Sequence, residues 1–411
     1  MVSTAAPIHY SISVYCYSAA LADAIFAVRL ADWPSTDPQR TNIARTPAWI
    51  ASFAAMRSPY DIAYSLLRPL LFRIDPERAH RLTLALLRYA PQLGARHDPI
   101  ELHTSAFGLS FSNPVGLAAG MDKNALAVMG WERLGFGFAE IGTITPRPQM
   151  GNPRPRIWRL PEHHALINRM GFPSDGMDQV ASRLGQIRAE TTRMRIGVNL
   201  GPNRDTPSEQ VPEDYAALIR RVAAICEFIV VNLSSPNTPG LRDFQAPERM
   251  RMVIEAIRGA YSEIGAAPSL LIKIAPDLEI MMMAEICAAA IELQLAGIVA
   301  ANTSLDHAEL GVASPFEGGL SGEPLKLRSR EIIASIYRLT RGRIPIIGVG
   351  GIANAEDSYG HIRAGASLIE LYTGLIYHGP GLVRRIKSGL RDLLIRDGYR
   401  SINEAVGRAV S

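Results

Sequence analysis

The chain has 411 residues, of which 47% are hydrophobic and 20% charged, and its formal net charge is +4. This composition is typical of a globular protein and excludes disorder throughout the chain. The near balance of charges argues against a nucleic-acid platform. The three cysteines, Cys16, Cys226 and Cys287, stand far apart. Their spacing predicts neither a disulfide framework nor a cysteine-ligated metal cluster, and it fits a reducing compartment.

Residues 1–57 carry little structural information. The apolar-leaning stretch over 11–22 ends at Asp23 and is shorter than the ~20 apolar residues that span a bilayer. No Lys or Arg precedes Arg29, so the segment lacks the basic start of a signal peptide. We predict a poorly ordered N-terminal extension over residues 1–57, with Met56 as an alternative start.

Residues 58–97 predict a pair of apolar helices. Leucines recur at helical spacing over 59–73 and again over 76–89, and arginines such as Arg68 and Arg73 stand at the edges. Such a pair can lie in a membrane interface, or it can simply pack on the main domain. The pattern alone leaves both interpretations open.

From Pro114 onward, within a domain predicted over residues 98–398, the chain alternates short apolar runs with helical stretches. Eight runs typical of buried parallel strands, alternating with helices, predict an α/β fold, a (β/α)8 TIM barrel. A doubly wound open sheet is the alternative, although no GxGxxG follows the first run. Residues 100–112 predict a small hairpin under the barrel, and residues 399–411 a C-terminal tail. The eight runs are 115–119, 138–142, 196–200, 228–233, 270–275, 297–302, 344–349 and 368–373.

Polar residues at the ends of these runs are the candidate functional residues, because the chemistry of such barrels lies at the C-terminal ends of the strands. Lys123 and Lys273 approach the centre, where a lysine forms a Schiff base, pairs with an anion or stabilises a reduced flavin. Four asparagines can both donate and accept hydrogen bonds, which suits a planar ring with C=O and N–H groups. They are Asn168, Asn232, Asn237 and Asn302.

Two loops and two histidines complete the candidates. The glycine-rich segments GGLSG and GVGG predict a phosphate site. Ser235 has no adjacent histidine, so it acts as a base only if its proton can leave through a relay such as Thr238. The segment around Ser235, SSPNTPG, is equally typical of a turn. His163 and His164 look like a metal-binding pair, but no carboxylate or cysteine completes it, and no metal is predicted.

Several long motifs carry a resemblance that extends over residues 57–400. Together and in this order they resemble class 2 dihydroorotate dehydrogenases, flavin enzymes that pass electrons to quinone in pyrimidine biosynthesis. The resemblance implies an FMN-binding barrel with a small N-terminal helical domain that associates with the membrane. The motifs are DPERAH (75–80), NPVGLAAGMDKN (113–124), EIGTITPRPQMGNPRPRIWRL (140–160), INRMGF (167–172), VNLSSPNTPGLR (231–242), KIAPD (273–277), GGLSGEPL (318–325), IIGVGGI (346–352) and GASLIELYTG (365–374).

The resemblance also implies a role for individual positions. Ser235 aligns with the catalytic base; class 1 members use a cysteine there, and the nearest cysteine in this chain is Cys226. The quinone-site histidine, arginine and tyrosine correspond to His80, Arg159 and Tyr372. The implied substrate-binding residues are Lys123, Asn168, Arg169, Met170, Gly171, Phe172, Asn232, Asn237, Asn302 and Thr303. The implied contacts to one FMN per chain are Ala119, Gly120, Met121, Asp122, Lys123, Thr143, Asn199, Asn232, Lys273, Ala301, Gly322, Gly351, Tyr372 and Thr373.

The implied reaction oxidises dihydroorotate to orotate. Ser235 removes the C5 proton while a hydride passes from C6 to FMN, Lys273 stabilises the reduced flavin, and ubiquinone is the final electron acceptor. The implied partners are dihydroorotate or orotate, membrane quinone and a lipid surface, and nucleic acid is not among them. The resemblance favours a peripheral protein on the cytoplasmic side of a bacterial inner membrane, as a monomer or weak homodimer.

Two alternatives and one departure from the family pattern stay open. The first alternative is a soluble relative that passes electrons to fumarate or NAD. Removal of residues 1–95 should then leave its use of that electron acceptor intact. A non-catalytic scaffold would bind flavin without being reduced by dihydroorotate. Ala301 stands where the family usually has threonine, so a hydroxyl contact to FMN is lost and a weaker affinity is expected.

Overall fold

The computed structural model describes residues 59–90, 97–189, 193–238, 240–311 and 314–410. The extension predicted over residues 1–57 lies outside these described residues, and so does Cys16. Cys226 and Cys287 are buried free thiols.

Short strands run through the whole described chain from residue 104 onward. In chain order they are β1 (Thr104–Ala106), β2 (Leu109–Phe111), β3 (Val115–Leu117), β4 (Phe138–Ile144), β5 (Ile157–Leu160), β6 (Ala165–Asn168), β7 (Arg195–Leu200), β8 (Phe228–Asn232), β9 (Ser269–Lys273), β10 (Gly297–Ala300), β11 (Gly319–Gly322), β12 (Ile346–Val349) and β13 (Leu368–Leu371). Helices alternate with them. They are α1 (Pro59–Leu71), α2 (Pro76–Leu87), α3 (Val128–Leu134), α4 (Met177–Ala189), α5 (Val211–Val222), α6 (Pro247–Ile264), α7 (Ile280–Glu292), α8 (Lys326–Thr340), α9 (Ala355–Arg363), α10 (Thr373–His378), α11 (Leu382–Asp397) and α12 (Ile402–Ala405).

All eight predicted barrel strands are present and pair in parallel around a closed barrel, in the order β3-β4-β7-β8-β9-β10-β12-β13. The predicted (β/α)8 barrel is confirmed, and the open-sheet alternative is wrong because β13 pairs back onto β3. A separate antiparallel sheet of β11, β6 and β5 stands beside the barrel. The apolar runs overshoot some strands: the run 297–302 ends as a strand at Ala300, and the run 368–373 at Leu371. The residues just beyond these ends, among them Asn302 and Tyr372, lie outside the strands and line a cavity.

Aromatic rings close the barrel at the N-terminal ends of its strands. The predicted hairpin is present as β1 and β2, and Phe111 packs against Phe138 with ring centroids 5.5 Å apart. Phe138 and Phe228 are fully buried inside the barrel. Gly116 leaves the space that the Phe138 ring needs, because a Cβ at this glycine would lie 2.1 Å from the ring. Chemistry is therefore confined to the opposite, C-terminal end of the barrel.

The helix pair α1 and α2 covers that open end. Asp75 caps α2 by accepting a hydrogen bond from the Arg78 N–H at 2.9 Å. Tyr64 donates to the carbonyl of Ile376 at 2.6 Å, and Arg68 donates to that of Tyr377 at 2.8 Å, so α1 is fastened to α10. The outward leucines stay exposed, with Leu66 at 72%. Among the described helices, none combines the length and apolarity that a membrane crossing requires.

Candidate active site

A cavity of about 690 Å³ lies between the helix pair and the C-terminal ends of the barrel strands. Its size falls in the range of small-molecule sites, ~300–1,000 Å³. Most of the residues predicted from the resemblance line it. They are His80, Ala119, Gly120, Met121, Lys123, Thr143, Arg159, Asn168, Met170, Gly171, Phe172, Asn232, Ser235, Asn237, Lys273, Ala301, Asn302, Thr303, Gly322, Gly351, Tyr372 and Thr373.

Three predicted residues lie behind or beside the cavity wall. The buried carboxylate of Asp122 accepts hydrogen bonds from the N–H groups of Leu126 and Ala127, both at 2.8 Å, and so shapes the loop that carries Lys123. Asn199 is buried one layer deeper and accepts a hydrogen bond from Thr143 at 2.5 Å. The Arg169 guanidinium points away and lies over the Trp158 ring, 5.4 Å from its centroid.

The amide cluster predicted from the sequence is assembled at the ends of β6, β8 and β10. Asn302 donates to Asn232 at 3.3 Å and to Ser234 at 3.0 Å. Asn237 donates to the backbone carbonyl of Asn168 at 3.3 Å. These contacts fix the amide planes before any ligand enters, which is the preorganisation that a polar planar ligand requires.

Ser235 lies at the wall of this cluster and is 4% exposed. Its Oγ accepts a hydrogen bond from the backbone N–H of Asn237 at 3.3 Å. Ser235 and Lys273 line the same cavity. A ligand held by the asparagines therefore meets a hydroxyl and a lysine within one enclosed space.

Two buried carboxylates that the sequence reasoning missed share one lysine. The Lys273 ammonium lies 3.3 Å from both carboxylate oxygens of Glu140 and 3.8 Å from Glu370. Both oxygens of Glu370 lack a hydrogen-bond donor within the described residues. Burial, with the nearby negative charge of Glu140, raises the pKa of Glu370 well above its ordinary value. Burial therefore disfavours the charged form of Glu370, and Glu140 is the nearer counter-charge of Lys273.

The sequence did contain a signal for these carboxylates. Both stand inside apolar runs, Glu140 in FAEIG and Glu370 in LIELYT, and a charged residue inside a buried strand needs a partner. Lys273 within KIAPD is the complementary charge. Apolar and polar residues do not alternate regularly along these short, buried strands, so the sequence did not reveal which side chains face the barrel interior.

Lys123 and His80, a residue of α2, line the same cavity. The Lys123 ammonium donates a hydrogen bond to the Gly120 carbonyl, which also accepts from the Tyr372 hydroxyl at 3.3 Å. Burial, followed by the charge of Arg156, lowers the pKa of Lys123 to about 8. Burial, followed by the charge of Lys123, lowers the pKa of His80 to about 3. His80 is thus neutral at physiological pH beside a cation.

Arginines join the helix pair to the β5 segment. Arg156 donates to both carboxylate oxygens of Glu77, at 2.7 and 3.0 Å, and Arg154 does the same at 2.8 and 3.0 Å. Burial opposes ionisation of Glu77, but the hydrogen bonds from Arg156 and Arg154 outweigh it and lower the pKa of Glu77 to about 2. Arg159 donates to the Ile74 carbonyl at 2.8 Å, and its guanidinium lies 4.8 Å from the centroid of the Phe72 ring.

The glycine loops form a cradle with room for a group held by backbone N–H donors. Gly351 approaches α8 so closely that a Cβ would lie 2.3 Å from the Lys326 Cα, and its φ is +71°. Thr373 and Ser321 share a hydrogen bond of 2.9 Å beside it. Only glycine keeps the backbone this near, and such a surface suits a phosphate group. The residues present therefore fit a phosphorylated planar cofactor.

Of the two adjacent histidines, His164 lies beside a carboxylate and a second histidine that the sequence pattern did not indicate. Glu323 lies beside His164, and its partner histidine is His378, which is distant in sequence, and not the adjacent His163. The Nδ1 atom of His164 is 2.7 Å from Oε1 of Glu323. The sequence pattern pointed to one of these histidines but could not find the other.

Comparison with known proteins gives a consistent result. The family model described as dihydroorotate dehydrogenase matches residues 101–394. A relative from Roseiflexus sp. (strain RS-1), named dihydroorotate dehydrogenase (quinone), is 47% identical over 360 residues, which cover 85% of this chain and 99% of the relative. A relative of the same name from Gloeobacter violaceus has the same identity and coverage, 47%, 85% and 99%. The crystal structure of DHODH from Eimeria tenella in complex with ferulenol matches with a TM-score of 0.78 at 39% identity, over 82% of this chain and 96% of that chain.

Proposed function

The chain belongs to the dihydroorotate dehydrogenase family, as a quinone-dependent member that acts in pyrimidine biosynthesis, and on that premise we propose that it uses FMN as hydride acceptor and ubiquinone as final electron acceptor. The observation that carries this proposal is the single cavity that joins three things: a glycine cradle, an amide cluster with Ser235, and a covering pair of apolar helices. The cradle suits FMN, the amide cluster suits dihydroorotate, and the space under the helices suits quinone.

FMN fits the inner part of the cavity. Its phosphate suits the backbone around Gly351 and Gly322 with the hydroxyl of Thr373, and its ring suits the space between Thr143 and Lys273. When bound, FMN would supply the redox chemistry, accepting a hydride from the substrate and passing both electrons on to the quinone. The Lys273 ammonium stabilises negative charge that develops near it, and Glu140 holds that ammonium in place at 3.3 Å.

Dihydroorotate fits the amide cluster. Asn168, Asn232, Asn237 and Asn302 match the donors and acceptors of its ring, and Lys123 is a cation for its carboxylate. Ser235 takes the proton from C5 of the substrate as the hydride leaves C6. Serine is a weak base, so the reaction depends on an enclosed site and on a relay that removes the proton; Thr238, which is also buried, is the proposed relay.

Quinone fits between the helices and the barrel. The apolar lining there includes Leu67, Phe72 and Leu86, and the polar groups at its inner end include His80, Arg159 and Tyr372. Because His80 is neutral at pH 7, it adds no second cation beside Lys123. The uncharged head group of a quinone finds hydrogen-bond donors for its carbonyls at this end of the cavity, among them the Arg159 guanidinium.

The helix pair also serves as the membrane contact. Its outward leucines form an apolar face, and an apolar face edged with arginines binds an anionic lipid interface. We assign residues 58–97 to this quinone-access domain, residues 98–398 to the FMN barrel, and residues 1–57 and 399–411 to the extension and tail. The proposed location is the cytoplasmic face of a bacterial inner membrane, with the protein a monomer or weak homodimer.

The proposal is tested by acceptor choice with the full chain. Dihydroorotate is mixed with purified protein and either a short-chain ubiquinone, fumarate or NAD, and orotate formation is followed in each case. Turnover with ubiquinone, and little with the other two, is expected. Turnover with fumarate or NAD in place of ubiquinone would overturn the quinone assignment, and flavin loaded without turnover on any acceptor would favour the scaffold.

A further inference from the structure

Three metal-ligating side chains from three separate segments converge on the cavity wall. His164 stands in the turn between β5 and β6, Glu323 directly follows β11, and His378 is the last residue of α10. One ligand atom from each lies within 4.8 Å of the other two. The Nδ1 atom of His164 and the Nε2 atom of His378 are 2.7 and 3.4 Å from the same oxygen, Oε1 of Glu323.

These separations suit a common ion. Zinc bonds of ~2.0–2.2 Å to nitrogen and oxygen in a tetrahedral arrangement hold the ligand atoms about 3.3 Å apart. The two observed distances of 2.7 and 3.4 Å lie on either side of that value. The third separation, between the ligand atoms of the two histidines, is within 4.8 Å, so a small inward movement of these side chains brings all three ligand atoms to a common ion.

The supporting structure holds the ligands while leaving one side open. His164 adopts a left-handed backbone, with φ 46° and ψ 44°, and its ring packs on Tyr377 with centroids 5.0 Å apart. The Tyr377 hydroxyl is anchored on the Ala165 carbonyl at 2.7 Å. All three ligand side chains are partly exposed, so a water molecule has access as a fourth ligand.

We propose that His164, Glu323 and His378 bind one divalent transition-metal ion, with zinc as the best match. Two imidazoles and one carboxylate form a ligand set that zinc uses, whereas magnesium and calcium prefer oxygen ligands throughout. The site is separate from the amide cluster and from the Lys273 pair. The proposal does not rest on the proposed function, since binding is measured on the resting protein.

The test is calorimetric titration of the tag-free, flavin-loaded full chain with zinc chloride, followed by gel filtration and metal analysis. One zinc per chain is expected. His164→Gln, His378→Gln and Glu323→Gln each should weaken zinc binding at least ~10-fold, because even residues outside the ligand set cost 10–100-fold when changed. His163→Gln is the matched control, since it removes a neighbouring histidine without removing a ligand.

Flavin content and thermal midpoint establish that each variant is folded. Because three ligand variants are made, the test still holds if one of them does not fold. Absence of saturable zinc binding in the parent chain would overturn the proposal and leave the three residues as a hydrogen-bonded group. Equal loss of binding in His163→Gln, or full binding in all three ligand variants, would also overturn it by placing the zinc elsewhere among the nine histidines of the chain.

Discussion

The ion pairs of Glu77 fasten α2 to the segment before β5, and their removal gives the sharpest stability prediction. In Glu77→Gln the charge that faces Arg156 and Arg154 is lost while the side-chain shape is kept. The Arg156 side chain is only 4% exposed. It keeps its hydrogen bonds to the carbonyls of Met150 and Asn152, but it becomes a buried cation without a counter-charge.

The expected cost follows from this burial. Breaking a buried pair by removing one partner costs ~3–5 kcal/mol. The Arg154 side chain is 54% exposed, so water screens that half of the cluster, and we expect about 3 kcal/mol, the lower end. Glu101→Gln is the matched control: its pair with Arg391 spans 3.4 Å at the surface, and its loss should leave the unfolding midpoint unchanged.

The assay is urea unfolding together with amide hydrogen exchange in α2. Because the pKa of Glu77 is lowered from 4.5 to about 2, its stabilisation is complete above about pH 4.5 and is lost as the pH falls toward 2. The difference between parent and Glu77→Gln should shrink over that window. Unchanged exchange in α2 at pH 7, or a difference that persists at pH 2, would show that the charge of Glu77 does not hold α2 in place.

Three further predictions concern the lipid face, the buried carboxyl and the substrate cation. Leu66→Glu combined with Leu67→Glu should lower binding to anionic vesicles at least ~10-fold, since each buried leucine contributes ~1.5–3 kcal/mol; unchanged cosedimentation would contradict the lipid contact. Because burial disfavours the charged form of Glu370, Glu370→Gln, which mimics the protonated acid, should keep the flavin content and thermal midpoint of the parent, whereas Glu140→Gln should lower both. Marked flavin loss in Glu370→Gln would show an ionised carboxylate. Orotate affinity, measured from the flavin spectrum, should fall as the pH rises through about 8, where Lys123 loses its proton; a flat profile would exclude that cation from the site.

The sequence predicts the barrel because each strand and helix carries its own local pattern. The eight apolar runs became the eight barrel strands, and the polar residues that follow them necessarily meet at one end of a parallel barrel. The placement of Asn302 and Ser235 on one cavity wall follows from topology alone. Local pattern and global fold agree at these positions, which is why they could be predicted.

Contacts between distant segments could not be predicted in the same way. Glu370 and Glu140 are far apart in sequence, and their short strands gave no indication that both side chains point at Lys273. His378 joins His164 only because α10 packs beside the β5–β6 turn. Such pairs depend on side-chain direction and helix packing, which hydrophobic periodicity does not encode.

We propose that dihydroorotate reduces the bound flavin, with Ser235 as the base. The most direct test mixes parent chain and Ser235→Ala with dihydroorotate under anaerobic conditions and follows flavin absorbance by stopped flow, with orotate binding as the control for an intact site. Rapid bleaching in the parent and at least ~10²-fold slower bleaching in Ser235→Ala, with orotate still bound, are predicted. Equal rates in the two proteins would remove Ser235 from the chemistry, and no bleaching of a flavin-loaded parent would contradict the substrate assignment itself.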